Sequence, residues 1–590
     1  MGKELFNNIP SRVHTLLSDI ELGRTGLPDL QRPFVWKDNK VRELLDSMLK
    51  GYPIGYIMLW SSPEHYQKKT QIGNSKKIYQ QPDDLVIDGQ QRLTALLAAM
   101  YGYKIKDKNY KERPVKISFS PLTREFKVWT SATDKDPEFI SEISSAFKAS
   151  RTNTVSKFRK KYIRELNESL LRENKEELTD EQEELIESNI QDLLNLENYE
   201  LPTLKIFSHA TEEDVAEIFV RVNSGGQNLT EKNFIETLLA VYDNEVHDRI
   251  NTFCKQARVP QDGTAYNPIL DPDTSHIIKM AVAFGFKRAR LRYAYMLLRG
   301  KDLKTGKVSP ETQAENLKIF QKALDEVIDL NNWHAFLNLY SDAGYLSKSL
   351  ISSQNAIVYS YVLYLIGKYD YKVPSVELNK IIRRWIFMAT ITGFYTGSTE
   401  TEVEKQFADL RTVHTANEFV TYLQNTIDLY FNDDYFNNLL PKDLNNSSAN
   451  SPAWFGYVAA LNILGTNILF SSSPLAKYFL AGSSGKKNAK DKHHIFPKNY
   501  LASIGFDQDR DRNKIANFTF LDYATNIDIS DQAPSVYGAR YREKLGEEKY
   551  LEHLKAHSIP ENFESLDYLE FLNQRRLLMA LKVKEAYQSL

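Results

Sequence analysis

The 590-residue chain has a single cysteine, Cys254, so it can form no internal disulfide and no multi-cysteine zinc or iron–sulfur centre. It also lacks a dominant charge. Its 75 Lys and Arg stand against 77 Asp and Glu, so net charge selects no partner until it is resolved along the chain. Long apolar runs are missing as well. The N-terminus MGKELFNNIPSR has no apolar signal core, and the stretch 455–470 is interrupted by Asn462, Thr466 and Asn467. Neither a secretory leader nor a membrane span is expected, and a reducing cytoplasm is the expected location. What is present points to folded structure: 42% of residues are hydrophobic and 12% aromatic, too much apolar material for a mainly disordered chain. The length exceeds the usual ~100–200 residues per domain several times over, so several cores are expected.

Between Asp38 and Gly51, the residues Val41, Leu44, Leu45, Met48 and Leu49 recur at helical spacing, with Gly51 and Pro53 as the stop. Short apolar runs follow at IGYIMLW (54–60) and LVID (85–88), and both read as buried strands. From 151 to 164 there are six basic residues and no acidic one, and from 165 to 200 there are 13 acidic and two basic, the pattern of a solvated helical hairpin. A helix is predicted from Thr211 through Asn223, with Thr211 and Asp214 as capping pair and Val215, Ile218, Phe219 and Val222 as its buried stripe. Helical patterns dominate from about 270 to 432, among them HIIKMAVAFGF, IVYSYVLYLIG and KIIRRWIFMATITGFY. The segment PKDLNNSSANSP (441–452) has little to bury and reads as a linker. The expected organisation is multidomain α+β: residues 1–250 with a charged helical insertion at about 135–200, a helical middle at 251–440, the linker, and a C-terminal domain at 453–590.

The strongest chemical signal is KDKHHIFPKNYL (490–501) followed by KIANFTFLDYATNIDIS (514–530). Imidazole titrates close enough to neutral pH to deprotonate water, and a mixed imidazole and amide-oxygen site suits Mg²⁺ or Mn²⁺. Neighbouring strand residues point to opposite faces, so only one of His493 and His494 can be the base on a regular strand. From Lys486 to Lys514 there are eight Lys or Arg against four Asp, an excess that suits a polyanion. The segment resembles the ββα-metal finger of HNH nucleases. The resemblance implies His494 as general base, Asn517 as the residue that ties the finger together and Asn526 at the last ligand position. Asp491 or His493 would complete the metal site; many HNH proteins carry other residues at the positions of His493 and Asn526.

At the other end, LVIDGQQRLTALLAAM (85–100) reads as strand, tight turn and helix. Gly89 permits the turn, Gln90, Gln91 and Arg92 open a helix whose free N–H groups favour anions, and Asp88 can hold a metal or orient water. The alternative is a purely structural turn in which Asp88 and Thr94 cap and Arg92 pairs with a carboxylate. No G-x-x-x-x-G-K-[ST] sequence occurs, so a nucleotide would bind without a Walker loop. Three pieces, LPDLQRPFVWKDNKVRELLDSMLKGYPIG (27–55), DGQQR (88–92) and FVRVNSGGQNLT (219–230), resemble the N-terminal domain of GmrSD-type modification-dependent restriction endonucleases, whose related fold is ParB/sulfiredoxin-like. That family pairs this domain, through a helical region, with an HNH domain. The resemblance implies nucleoside triphosphate hydrolysis at Asp88, Gly89, Gln90, Gln91 and Arg92, with Gln31, Arg32, Arg221, Asn223, Gly225 and Gly226 as pocket partners. Phe34 and Trp36 either line an aromatic cavity for a modified base or belong to the core. The implied function is a defence endonuclease that senses modified, phage-type double-stranded DNA, glucosylated or phosphorothioate DNA being family-level substrates, and nicks or cuts it with a divalent metal. The alternatives are an NTP-hydrolysing switch, or a DNA-binding sensor, with a degenerate nuclease domain. A homo-oligomer is compatible with either.

Overall fold

The computed structural model describes residues 4–26, 34–61, 82–107, 111–210, 244–290, 300–302, 309–397, 399–448, 450–480 and 492–590, with scattered positions between 214 and 222 and between 293 and 307. The chain divides into two compact units, Met1–Tyr242 and Asp243–Leu590.

The first unit is built on a five-stranded mixed sheet. In chain order its first elements are β1 (Phe6–Arg12), α1 (Val13–Glu21), β2 (Thr25–Gly26), α2 (Asp38–Leu49), β3 (Ile57–Ser61), β4 (Asp84–Asp88) and α3 (Gln90–Tyr101). Two small ribbons follow, β5 (Ile105–Lys106) with β6 (Glu112–Arg113) and β7 (Ile117–Ser120) with β8 (Glu125–Val128), then α4 (Ser131–Lys135), α5 (Ser144–Arg151), α6 (Val155–Arg172), α7 (Asp180–Leu194) and β9 (Glu200–Ile206). The sheet order is β1-β9-β3-β4-β2, with β3 parallel to β9 and antiparallel to β4. The predicted helix at 38–51 is α2, which buries Val41, Leu44, Leu45 and Met48; the predicted strands are β3 and β4. Helix α3 is apolar on nearly every side and is buried from Leu93 to Tyr101, so it forms the centre of the unit's core.

The charged stretch forms the hairpin α6–α7. Only a narrow seam turns inward, Tyr162 and Leu166 on one helix and Ile186, Asn189, Ile190, Leu193 and Leu194 on the other. A reciprocal cap between Thr179 and Gln182 starts α7. Of the predicted helix at 211–223, the described positions 214, 215, 218, 219 and 222 are helical; Val215 and Phe219 are buried, whereas Val222 is exposed.

The second unit is mainly helical. It begins with α8 (Asn244–Gln256), α9 (Thr274–Phe286), α10 (Pro310–Val327), α11 (Leu330–Asp342), α12 (Gln354–Leu365), α13 (Ser375–Ile391), α14 (Thr399–Leu410) and α15 (Ala416–Tyr430). Helix α12 is buried all round from Ala356 to Leu365, which is why its sequence shows no polar face. The Asn/Ser-rich segment is bonded within this unit: Ile515 N–H donates to the Asn446 carbonyl at 2.8 Å and Ser447 Oγ to the Arg510 carbonyl at 2.6 Å. Then come α16 (Pro452–Ile463), β10 (Lys492–His494), α17 (Lys498–Ser503), β11 (Phe518–Phe520), α18 (Tyr523–Ile529), α19 (Pro534–Leu545), α20 (Glu547–Ala556) and α21 (Tyr568–Ser589). Among the described residues, no helix is long and apolar enough to cross a membrane.

A polar knot lies inside this second core. His557 is fully buried, its Nε2 sits 2.8 Å from the Asn467 carbonyl and its Nδ1 3.2 Å from Thr519 Oγ1. Arg575, also fully buried, donates to the carbonyls of Ala516 and His557, and Tyr457 donates to the latter at 2.9 Å. Burial depresses the His557 pKa from 6.5 to about 3, and the neighbouring Arg575 cation acts in the same direction. The folded chain therefore refuses a proton that the unfolded chain binds below pH 6.5. Stability from this group is complete above pH 6.5 and is lost as the pH falls toward 3. At pH 5 the loss amounts to about 2 kcal/mol, at 1.36 kcal/mol per pH unit. Calorimetric melting between pH 7 and 5 should show this decline, and His557→Gln should flatten it while lowering stability at pH 7.

Candidate functional site

The DGQQR turn is set at the end of β4, where the sheet register breaks. Leu59 pairs with Val86 but Met58 pairs with Asp88, so Ile87 is an extra residue in the strand. Such bulges re-aim the side chains beyond them, and here the affected one is Asp88. Gly89 follows with φ +92°, and a β-carbon there would lie 2.4 Å from the buried Ile57 Cδ1. Both the backbone angle and the space demand glycine. The Gly89 N–H donates to Asp88 Oδ1 at 2.7 Å, closing the turn.

The residues that open α3 have different tasks. Gln90 turns inward: it is buried, and its Nε2 donates to the Val86 carbonyl at 2.8 Å. Gln91 Oε1 accepts from the Val35 N–H at 3.2 Å, tying the 34–37 segment to the helix start. Arg92 donates through Nη1 to the Tyr56 carbonyl, and its guanidinium lies over Gly55, where a β-carbon would come within 3.0 Å of it. Asp88, Gln91 and Arg92 are half-buried. The intrahelical ladder begins with Leu93 N–H on the Gly89 carbonyl at 3.1 Å, and Gly89 contributes no side-chain cap. The positive end of a twelve-residue helix therefore opens beside Asp88 and Arg92. Thr94 caps nothing; its hydroxyl is buried without a hydrogen bond.

Phe34 is a core residue at 3% exposure, and Trp36 packs against the same core with the Lys40 ammonium 4.3 Å from its ring centre. Of the two readings of these aromatics, the core reading describes their surroundings. Gln31, Arg32, Arg221, Asn223, Gly225 and Gly226 lie outside the described residues.

At the other end of the chain, β10 and β11 form an antiparallel ribbon in which Lys492, His493 and His494 face Phe520, Thr519 and Phe518. Asn517, fully buried, closes the loop after His494. Its Oδ1 accepts from Phe496 N–H at 2.8 Å, and its Nδ2 donates to the carbonyls of Phe496 at 3.0 Å and Arg512 at 3.2 Å. Its backbone carbonyl takes the Ile495 N–H at 2.8 Å, and Tyr537 Oη donates to the Ile495 carbonyl at 2.7 Å.

His494 is half-buried, its ring edge-on to Phe518 at 5.1 Å. Its Nε2 lies 2.9 Å from Asn513 Oδ1. An amide oxygen can only accept, so Nε2 carries the hydrogen and Nδ1 keeps the lone pair. Burial holds the His494 pKa below its usual value, against the opposing pull of Asn513. The ring is neutral at pH 7, as a general base must be. Asn513 did not emerge from the sequence, because nothing in its spacing distinguishes it from other polar loop residues.

Asn526 lies on α18, the helix that follows β11, half-buried and with no side-chain hydrogen bond among the described residues. Asp522 caps that helix, accepting from Thr525 N–H at 2.8 Å. Among the described residues, no cluster of three or more His, Cys, Asp or Glu is assembled for a metal. His493 and Asn526 offer one nitrogen and one amide oxygen; Asp491 lies outside the described residues. Two of the basic residues near His494 share one acidic partner: Lys498 and Arg512 approach Asp509 Oδ1 at 2.9 and 2.8 Å.

A mixed α+β domain with an anion-ready turn at a strand end, and a separate two-stranded ribbon presenting a neutral imidazole, define a chain with two polar sites. Residues 13–240 match the family described as the GmrSD restriction endonuclease, N-terminal domain. The first unit is thus similar to the N-terminal domain of a restriction endonuclease. An uncharacterized protein of Methanocaldococcus jannaschii is 22% identical over 541 residues, covering 87% of this chain and 84% of the relative, so the likeness spans both units.

Two substitutions probe these frames. Gly89→Ala should destabilise the first unit by about 3 kcal/mol, combining the left-handed backbone penalty with overpacking at Ile57; the lowest calorimetric transition reads it. Asn517→Ala strands the N–H and carbonyl of buried Phe496, while the Arg512 carbonyl keeps Tyr568 Oη at 3.2 Å, and should cost about 2–4 kcal/mol, seen as an earlier loss of amide-exchange protection in β10 and β11.

Proposed function

We propose that the chain is a defence endonuclease in which the C-terminal ribbon carries a metal-dependent HNH nuclease site and the DGQQR turn a nucleoside triphosphate site. The observation that carries this reading is the order ribbon, clasp and helix: a neutral His494 on β10, Asn517 locking the loop behind it, and Asn526 on the helix after β11. The similarity of residues 13–240 to a restriction endonuclease domain supports DNA as the substrate; double-stranded, foreign and modified DNA is the target we propose.

In this reading, His494 Nδ1 takes a proton from water as the water oxygen attacks phosphorus. The phosphorus–oxygen bond to the leaving sugar then breaks, and that oxygen takes up a proton from solvent. Asn513 keeps the ring in the required tautomer and Phe518 limits its rotation. Asn526, with Asp491 or His493, would hold Mg²⁺ or Mn²⁺, which when bound stabilises negative charge on the phosphate oxygens. The fit rests on the amide oxygen of Asn526, which no described residue engages.

At the other site, phosphate oxygens would meet the N–H groups that open α3, with Arg92 exchanging the Tyr56 carbonyl for an anion. Asp88, whose Oδ1 accepts from the Gly89 N–H, would orient water through its other oxygen, and Gln31, Arg32, Arg221 and Asn223 are further candidates for the nucleotide. Gln90 and Gly89 shape this turn from beneath. We read this unit as ParB/sulfiredoxin-like and as the sensor of the modification, in a chain that works in the cytoplasm.

The test is a cleavage assay on plain, base-modified and phosphorothioate DNA with Mg²⁺ or Mn²⁺, with and without each NTP. Modified DNA should be nicked or cut. His494→Ala should lower the rate at least about 100-fold, the usual contribution of a general base. Arg92→Ala should abolish phosphate release. A His494→Ala protein that cuts at the wild-type rate would remove the nuclease assignment; intact protection by that variant, lost in Arg92→Ala, would make the nucleotide switch the working part.

A further inference from the structure

The sheet of the first unit has one long open edge. Strand β1 pairs with β9 along its whole length, from Phe6 opposite Ile206 to Arg12 opposite Glu200, and stands last in the strand order. Among the described residues, no strand lies on its other side.

The backbone groups of β1 sort by parity. In an antiparallel pair, facing residues alternate between those that exchange both backbone bonds and those that exchange none. Just beyond the ends of the ladder, the Leu5 carbonyl takes the Phe207 N–H and the Val13 N–H donates to the Tyr199 carbonyl, each at 3.0 Å. Pro10 faces Pro202, a pair with no N–H to exchange. The odd-numbered residues therefore bond to β9, and Phe6, Asn8, Pro10 and Arg12 turn their backbone groups away from it. Among the described residues nothing bonds the outward groups of Phe6, Asn8 and Pro10. The side chains are open as well: Phe6 is 39% and Ile9 42% exposed. Proteins ordinarily shorten, charge or cover such an edge, because it is a template for another strand.

We infer that β1 is a self-association edge, pairing antiparallel with β1 of a second copy across a two-fold axis at Asn7 and joining two five-stranded sheets into one. The available donors and acceptors select this register. With the axis at Asn7, Phe6 of each copy faces Asn8 of the other, and each such pairing exchanges two bonds. Glu4 faces Pro10 of the other copy, so the Glu4 N–H meets the Pro10 carbonyl. The donor that Pro10 lacks is not missed, because the Glu4 carbonyl already has His209 Nε2 at 3.1 Å. Neighbouring registers fail this test. An axis at Phe6 sets the Asn8 N–H against that engaged Glu4 carbonyl, and an axis at Asn8 or Ile9 leaves the Phe6 or the Asn8 carbonyl opposite Pro10 without a donor.

The side chains agree with the same register. Leu5 of each copy meets Ile9 of the other at the closely spaced, non-bonded positions, where cross-strand apolar pairs contribute most. A strand of another protein would have to reproduce this order of donors, gap and apolar residues, which β1 itself already carries. Pro10 limits the edge to one pairing and so prevents open-ended association. The inference rests on neither candidate site.

The full-length protein should be studied by sedimentation equilibrium from about 1 to 100 μM, the range in which a small interface associates. A monomer–dimer equilibrium is expected. Asn8→Pro deletes one outward N–H per copy while sparing the bonds to β9, and should weaken the dimer about tenfold or more. Ile9→Glu, at an exposed position, sets a carboxylate against Leu5 of the second copy and should weaken it similarly, which keeps the test valid should Asn8→Pro fold poorly. Asn7→Cys reads the register: a non-bonded pair sets the two α-carbons about 4.5 Å apart, within disulfide reach. The native Cys254 is buried, so mild oxidation should give a covalent dimer with Asn7→Cys and none with Ser11→Cys. The inference falls if the wild type is monomeric throughout, if neither Asn8→Pro nor Ile9→Glu weakens the dimer, or if Asn7→Cys cross-links no better than Ser11→Cys.

Discussion

One buried amide holds the C-terminal site in shape. Strands β10 and β11 are three residues each, and a two-stranded ribbon of that length has no stability of its own in water. What fixes it is the set of bonds around Asn517, which satisfies backbone groups on both sides of the loop after His494. Because the amide is fully buried, no water competes for those bonds and each is costly to leave unmade. Beneath the ribbon, Trp454 packs against both Phe518 and Phe520, so the apolar face of β11 is anchored while its neighbour presents the imidazole. The orientation of His494 is a consequence of the Asn517 clasp and that apolar floor.

The N-terminal turn reaches a comparable rigidity by other means. There the fixed points are a register break at Ile87, a left-handed glycine pressed against Ile57, and a buried Gln90 that ties the helix start back to its own strand. The helix behind them is buried on nearly every side, so its positive end is held by a core instead of a surface. In the proposed nucleotide site, Arg92 mounted on such a frame would lose little freedom on meeting an anion, the condition under which binding energy is not spent on ordering.

The parts legible in the sequence are those governed by local rules. Helix α2 announced itself by spacing and a glycine stop, β4 and α3 by an apolar run, a glycine and a second run, and the hairpin by its reversal of charge. What escaped depends on pairing between distant segments. Gln90 faces inward, and its contact with the Val86 carbonyl follows from the register in which β4 leaves β3, where one extra residue redirects every side chain after it. Asn513 meets His494 across 19 positions, a contact that no periodicity encodes. The 441–452 segment was read by composition, which states what a segment cannot bury and not which hydrogen bonds its backbone makes; Asn445, Asn446 and Ser447 each bond to residues more than 60 positions away.

The local excess of cations around His494 also takes on a different meaning once the pairs are known. Lys498 and Arg512 are both engaged by Asp509, whose carboxyl is held below its ordinary range first by the hydrogen bond and charge of Lys498. Asp509 is exposed, and exposed ion pairs contribute little because water and salt screen them. For a polyanionic ligand this is an advantage. In the proposed nuclease site, a phosphate beside His494 would displace a weak carboxylate partner, the two side chains being already held near the imidazole. Asp509 thus holds Lys498 and Arg512 in place by weak exposed pairs, and in the proposed nuclease site their exchange for a nucleic acid would be sensitive to ionic strength.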